Sequence, residues 1–90
     1  MGIAAVKIKI LPTSPEIDLE VLKEDLKQIV ETKGGKNCKF EEEPIAFGLK
    51  ALIAFFAWPE ELELESLEDA LKEKEEVSSI QIIDMRRAFG

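Results

Sequence analysis

Histidine is absent from this 90-residue chain, and cysteine occurs once, at Cys38. Those two shortages remove much of the usual enzymatic repertoire. Zinc, copper and iron–sulfur centres draw on imidazole and thiolate ligands, so they are nearly excluded. Ser-His-Asp and Cys-His nucleophilic chemistry are excluded as well. A lone cysteine cannot close an internal disulfide, which fits a reducing compartment. The longest apolar run, Ala51 to Trp58, is far too short to span a bilayer. The N-terminus lacks the basic, apolar, small-residue order of a secretory signal. The expectation is a cytoplasmic protein with no membrane contact, no metal and no cofactor of its own.

Positive charge is also in short supply. Twelve Lys and Arg face 19 Asp and Glu, for a net charge of −7 at pH 7. Phosphate backbones are bound by clustered cations, so nucleic acid is a poor partner and a basic protein surface a better one. Amides are few among charged residues dominated by Glu and Lys, a balance that leans towards a thermophilic source. The many carboxylates invite a glycosidase or magnesium reading, but their placement does not support one. Glu41, Glu42 and Glu43 are consecutive on a strand, so neighbours point to opposite faces. The Glu-rich stretch after Pro59 reads as the solvated side of a helix.

What is present is a hydrophobic fraction of 46%, enough for one core and one domain over residues 1–90. "IAAVKIKIL" (3–11) alternates, with Val6, Ile8 and Ile10 to one side and Lys7 and Lys9 to the other: a half-buried strand, ended by "PTSP". Leu19, Leu22, Leu26, Ile29 and Val30 form one stripe of a helix over 18–31, with Asp18 as N-cap and Gly34 as stop. Residues 36–43 read as a polar edge strand anchored by Phe40. "LKALIAFFAW" (49–58) is apolar on both faces and is the expected central strand, ended by Pro59. Leu64, Leu67 and Leu71 mark a second helix at about 62–75, shorter if Ser66 is its N-cap. "VSSIQIIDMRR" is a fourth strand with Ile80 and Ile82 on one face.

The order is β-α-β-β-α-β. Right-handed crossovers turn it into an α+β, ferredoxin-like sandwich: a four-stranded antiparallel sheet in the order 4-1-3-2 with two helices on one face. That topology puts the Pro44–Gly48 turn at one end of the sheet and Arg86, Arg87 and Phe89 at the other. A strand of about eight residues is about 27 Å long at roughly 3.3 Å per residue. Features so far apart cannot line one small-molecule pocket, but they can grip two places on a large partner. Phe47 is the odd residue of the turn, an aromatic where burial is hardest; its alternative is to fold back over the sheet edge. The alternative for Arg86 and Arg87 is a solvated, charge-balancing terminus.

"EEEPIAFGLKAL" (41–52), the ending "VSSIQIIDMRR" and the opening "KIKILPTSPEIDLEVLKEDL" together resemble archaeal translation elongation factor 1-beta. The likeness covers nearly the whole chain, and its hairpin keeps a Pro, an aromatic, a Gly and a Lys in fixed order. The resemblance implies a guanine-nucleotide exchange factor for elongation factor 1-alpha, the GTPase that carries aminoacyl-tRNA to the ribosome, on the fold reached above. It implies that Pro44, Ile45, Phe47 and Gly48 form a partner-binding loop, with Phe47 entering a hydrophobic pocket on the GTPase. The eukaryotic factor carries a lysine near its C-terminus that intrudes on the magnesium and phosphate region of the partner, and that position falls at about Arg87. Here the working cation is Arg86 or Arg87, planar and forked where lysine is a point charge. No covalent chemistry is implied, so the chain is expected not to be an enzyme.

Other tenants of the fold are less well matched, since one fold hosts many functions. An amino-acid-binding regulatory or assembly domain would want a Gly-rich loop after strand one, and an acylphosphatase a basic, glycine-bearing cradle there. "PTSPEID" is neither. RNA binding on the sheet would need positive charge beside the aromatics. Leu52, Phe56 and Trp58 share one face of strand three. On the face without helices they would form an apolar patch that meets the GTPase or a second copy, or that side chains from the sheet edges shield.

Overall fold

The computed structural model describes residues 2–89, with backbone alone for Ala88 and Phe89. Met1 and Gly90, the two ends of the expected 1–90 domain, lie outside the described residues. The elements are β1 (Ile3–Pro12), α1 (Leu19–Lys33), β2 (Lys36–Pro44), a 3-10 turn (Ala46–Gly48), β3 (Lys50–Pro59), α2 (Leu64–Lys72) and β4 (Val77–Phe89). One antiparallel sheet runs β2-β3-β1-β4, the expected order read from its other edge. With two helices, this is the α+β, ferredoxin-like arrangement.

Each element follows from local chemistry. β1 buries Ala4, Val6, Ile8 and Ile10, while Lys7 and Lys9 stay half-exposed on the other face. α1 starts where Asp18 accepts from the Glu20 and Val21 amides, satisfying donors that the first turn leaves unpaired. It ends at Gly34, whose φ of +119° is a left-handed conformation that costs a side chain energy and glycine little. Leu22, Leu26 and Val30 are its buried stripe, with Leu19 and Ile29 packed at the margins. α2 is shorter than its leucine spacing predicts and begins after Glu63. Ser66 lies inside its first turn, where its hydroxyl donates to the Glu63 carbonyl at 3.2 Å instead of capping.

The central strand corrects one expectation. Leu52, Phe56 and Trp58 face the helices and are fully or almost fully buried in the core, so they form no patch on the open face. The register gives the reason. Ile10 lies opposite Leu52, Val6 opposite Phe56 and Ala4 opposite Trp58, and directly opposed residues project to the same side. Trp58 packs edge-on against Phe56 with centroids 6.1 Å apart, and its indole N–H donates to the Leu62 carbonyl at 3.0 Å. Burying an aromatic of this size stabilises by about 3 kcal/mol. The homodimer contact expected of such a patch loses those side chains as its footing.

The open face carries Ala51, Ile53, Phe55 and Ala57 instead. Lys7 lies over the Phe55 ring, 4.8 Å from its centroid, and Lys9 reaches Glu43 at 3.9 Å. The lysine stems cover apolar surface while their ammonium groups stay wet. At the β2 edge Cys38 lies deeper than Phe40, the expected anchor, which is half-buried. The edge is irregular between Lys36 and Lys39, and Asn37 adopts φ 57° there. Burial pushes the Cys38 thiol up to about 11, with Glu31 adding to the effect and Lys27 opposing it. That thiol is a packing group and no nucleophile near neutral pH.

Candidate functional site

Two surfaces stand out, one at each end of the sheet. The first is the β2–β3 connection. Pro44 pairs with Lys50 to close the ladder. Beyond it the Ile45 amide donates to the Leu49 carbonyl at 2.8 Å, and the Leu49 amide donates to the Ala46 carbonyl at 3.2 Å. These bonds force a tight reversal through two successive left-handed residues, Phe47 (φ 62°, ψ 32°) and Gly48 (φ 77°). Gly48 suits that conformation. For Phe47 it costs about 1–2 kcal/mol. The ring gains nothing in return within this chain, because Phe47 is 95% exposed. It does not fold back over the sheet edge. A residue that is both strained and unburied marks a functional position more often than a packing one.

The base of this loop is braced. The Glu42 carboxylate lies 2.8 Å from the Lys23 ammonium on α1 and 3.7 Å from that of Lys50, the first residue of β3. The hydrogen bond from Lys23 is the main cause that holds Glu42 below the usual carboxylate range, and Lys50 contributes further. Pro15, in the turn before α1, faces the same end: a methyl at Gly48 would come 3.9 Å from its ring. Pro12, Ser14, Pro15, Leu19, Gly48 and Lys50 enclose a shallow hollow of about 140 Å³ between the two turns. Pro15 thus joins the loop surface, and the reading of isolated motifs missed it. Topology holds the clue, since the end of β1 and the end of β2 must lie at the same edge of the sheet.

The second surface is the far end of β4. The strand runs on to Phe89, so Arg86 and Arg87 sit in a paired strand, not in a trailing terminus. Arg86 lies opposite Ala5 and Arg87 opposite Ala4, which places them on opposite faces. Arg86 is on the open face, and its Nε lies 3.0 Å from Asp84 two residues back. Arg87 is on the helix-covered face, where its Nε–H donates to Glu60 at 3.1 Å. Glu60 raises the guanidinium above its ordinary value, so Arg87 is charged at any accessible pH. Glu60 had no signal in the sequence, being one of several glutamates after Pro59.

Pro44, Ile45, Phe47 and Gly48 are therefore together at one end, and Arg86 and Arg87 are together at the other. Trp58 shares a register row with Ala4 and Arg87, while Lys50 closes the loop. Eight residues of β3 separate those rows, about 27 Å at roughly 3.3 Å per residue. The molecule measures 42 × 20 × 18 Å, so the two surfaces occupy the ends of its long axis. Among the described residues no group of three or more His, Cys, Asp or Glu side chains could hold a metal ion. Among the described residues no helix is long and apolar enough to cross a membrane.

The chain is similar in sequence to a known family along most of its length. The sequence model of the EF-1 guanine nucleotide exchange domain matches residues 5–88. "Elongation factor 1-beta" of Nanoarchaeum equitans is 43% identical over 82 residues, covering 90% of this chain and 100% of that protein. The protein of the same name from Methanosarcina acetivorans is 42% identical over 88 residues, covering 97% of this chain and 99% of its own. That from Methanothermobacter thermautotrophicus is 40% identical over 88 residues, covering 97% and 98%.

Proposed function

This chain belongs to the EF-1 guanine nucleotide exchange domain family, and from that premise we propose how it acts as the guanine-nucleotide exchange factor of elongation factor 1-alpha in translation elongation. Residues 1–90 work as one exchange domain in the cytoplasm. Phe47 and its neighbours Pro44, Ile45 and Gly48 anchor one end on the GTPase. The Arg86–Arg87 end presses on the region of the partner that holds nucleotide phosphates and magnesium.

The observation that carries this reading is Phe47. A ring held in a left-handed turn and 95% exposed recovers its unfavourable free energy only when a partner buries it. A buried aromatic anchor is often worth about 2 kcal/mol or more at an interface. The charge pattern supports the same partner class, because a chain of net charge −7 is steered towards a basic protein surface.

The mechanism needs binding and no covalent chemistry. Magnesium in such GTPases bridges phosphate oxygens to the protein. A cation on a stiff strand, forced into that neighbourhood by an anchor at the other end, weakens those contacts and loosens the phosphate loop. GDP leaves, and GTP binds in its place. A thousandfold faster release requires a barrier lowered by about 4 kcal/mol. That is available only if the factor binds the loosened GTPase more tightly than the closed one. One copy supplies both grips, so no homodimer is required.

The direct test is to load the GTPase with fluorescent GDP, add this protein and follow release. Release should accelerate, and raising free magnesium should slow it. A folded Phe47→Ala protein with undiminished activity would remove the anchor. A stable dimer that buries Phe47, seen by light scattering and protection of the ring, would contradict the one-copy arrangement.

A further inference from the structure

We propose that Glu60 is a positioning residue for Arg87, gripping the guanidinium by its Nε edge so that the two Nη groups face an anionic group on the partner. This rests on the reading that the Arg87 end meets the phosphate-bearing region of the GTPase. The structural ground is the asymmetry between the two arginines. Among the described residues Arg86 is tied only to Asp84 on its own strand. Arg87 is tied to Glu60, 27 residues away and two strands across the sheet.

The bridge is built into the end of the sheet. It spans β1 diagonally, since Arg87 lies opposite Ala4 on one side and Glu60 follows Pro59, the residue opposite Ile3, on the other. The Glu60 backbone is itself fastened, its amide donating to the Gly2 carbonyl at 3.0 Å. Its side chain is the more enclosed partner, 26% exposed against 66% for Arg87. Among the described residues only the Nε–H is engaged, and only by Oε2. A guanidinium has five donors in a rigid fork, so the four on the Nη atoms stay available for a bidentate grip on a phosphate or carboxylate.

Lysine differs here in kind. An ammonium carries its whole charge and all three donors on one nitrogen, so a carboxylate that holds it draws the entire cationic centre to itself and leaves no second edge aimed elsewhere. Glu60 therefore aims an arginine and would sequester a lysine at the same position. The two cases predict opposite signs for the loss of Glu60, which a merely structural role does not.

The experiment measures fluorescent GDP release from the GTPase at saturating and half-saturating factor, in a double-mutant cycle. With Arg87 present, Glu60→Ala should slow the saturating rate about two- to fivefold, the range open to an exposed ion pair, and leave the half-saturating concentration unchanged. Glu60→Gln, which keeps an oxygen acceptor, should recover part of that loss. In the Arg87→Lys background, Glu60→Ala should speed release by a similar factor. In the free protein, the Arg87 Nε–Hε NMR signal should lose order in Glu60→Ala while the fold and melting temperature hold. Slowing of the same size in both backgrounds, or no change in either beside a slow Arg87→Ala protein, would overturn the positioning role alone. Wild-type release by Arg87→Ala would overturn the reading beneath it.

Discussion

The two ends of this small sheet expose their proposed working groups by opposite means. At the loop end, the side chain is apolar, its backbone is left-handed, and nothing in the chain satisfies it. At the β4 end, the side chains are charged, their backbone is paired strand whose register with β1 shifts just past Arg87, and each guanidinium already has a carboxylate. The first end is incomplete until something covers it. The second is complete and merely aimed. An anchor of the first kind supplies affinity, since burial is realised only on binding. A group of the second kind adds little affinity, because an exposed ion pair exchanged for another gains little, but it delivers charge to a defined place.

The largest expected effect lies at the incomplete end. Phe47→Ala should weaken association with the GTPase by about 2 kcal/mol, roughly thirtyfold. Its melting temperature should not fall, because the ring has no contacts to lose. Titration of exchange rate against factor concentration separates the two quantities. A loss of affinity matched by a loss of stability would show that the ring packs on its own chain, and the comparison would break.

The aimed end should respond with the opposite kinetic signature. Arg87→Ala should lower the saturating exchange rate with little change in half-saturating concentration, and Arg86→Ala should have the smaller effect. The reason is geometric. Arg87 is held across the sheet by Glu60, whereas Arg86 is held by a neighbour on its own strand and keeps more freedom. Equal losses from the two substitutions would mean that net charge matters and aim does not. An effect on affinity alone would make both ends anchors.

A stability measurement sharpens the claim of strain. Phe47→Gly removes a side chain from a left-handed position and should raise unfolding free energy by about 1 kcal/mol while exchange collapses. Denaturant unfolding beside the exchange assay shows whether activity and stability move apart. Parallel loss would place Phe47 among ordinary packing residues.

How much of this was legible in the sequence differs by element. β1 and α1 could be read closely because one face of each is polar, so periodicity carries the fold directly. Asp18 and Gly34 are chemical punctuation and stand where they should. The element order then fixed the sheet order, and with it the distance between loop and arginines. β3 resisted for the converse reason. It is apolar on both sides, so parity alone does not say whether Phe56 or Phe55 faces the helices; the register with β1 decides. Cys38 against Phe40 turned on an irregular edge pairing, and Ser66 on which of two turns begins α2. Neither is a property of a local window. The Glu60–Arg87 contact joins residues 27 apart whose only common feature is opposite charge, in a chain where glutamates abound. Its partner could be named only once the strands were laid side by side.

The smallest expected effect concerns the brace under the loop, and it has a pH sign. Glu42 sits between Lys23 and Lys50, so at this end a carboxylate ties α1 to the start of β3, whereas Glu60 at the other holds a single guanidinium. The folded Glu42 carboxyl is depressed below its ordinary value near 4.5, chiefly by the Lys23 hydrogen bond. Its contribution to stability is therefore present above that pH and is lost as pH falls through the folded value. Lys23 is raised above 10.5, first by Glu42 and then by Glu20, so the alkaline loss comes only as pH rises through its folded value. Between those limits the brace should be constant. Thermal melts of wild type and Glu42→Gln, taken from pH 7 down through the folded Glu42 value, should show a small gap that closes as the carboxylate protonates. High salt should narrow the gap at pH 7, since the pair is exposed and screened. A gap that does not change with pH across the acid range would mean that Glu42 supports the loop by packing and not by charge, and the two ends would then differ only in their tips.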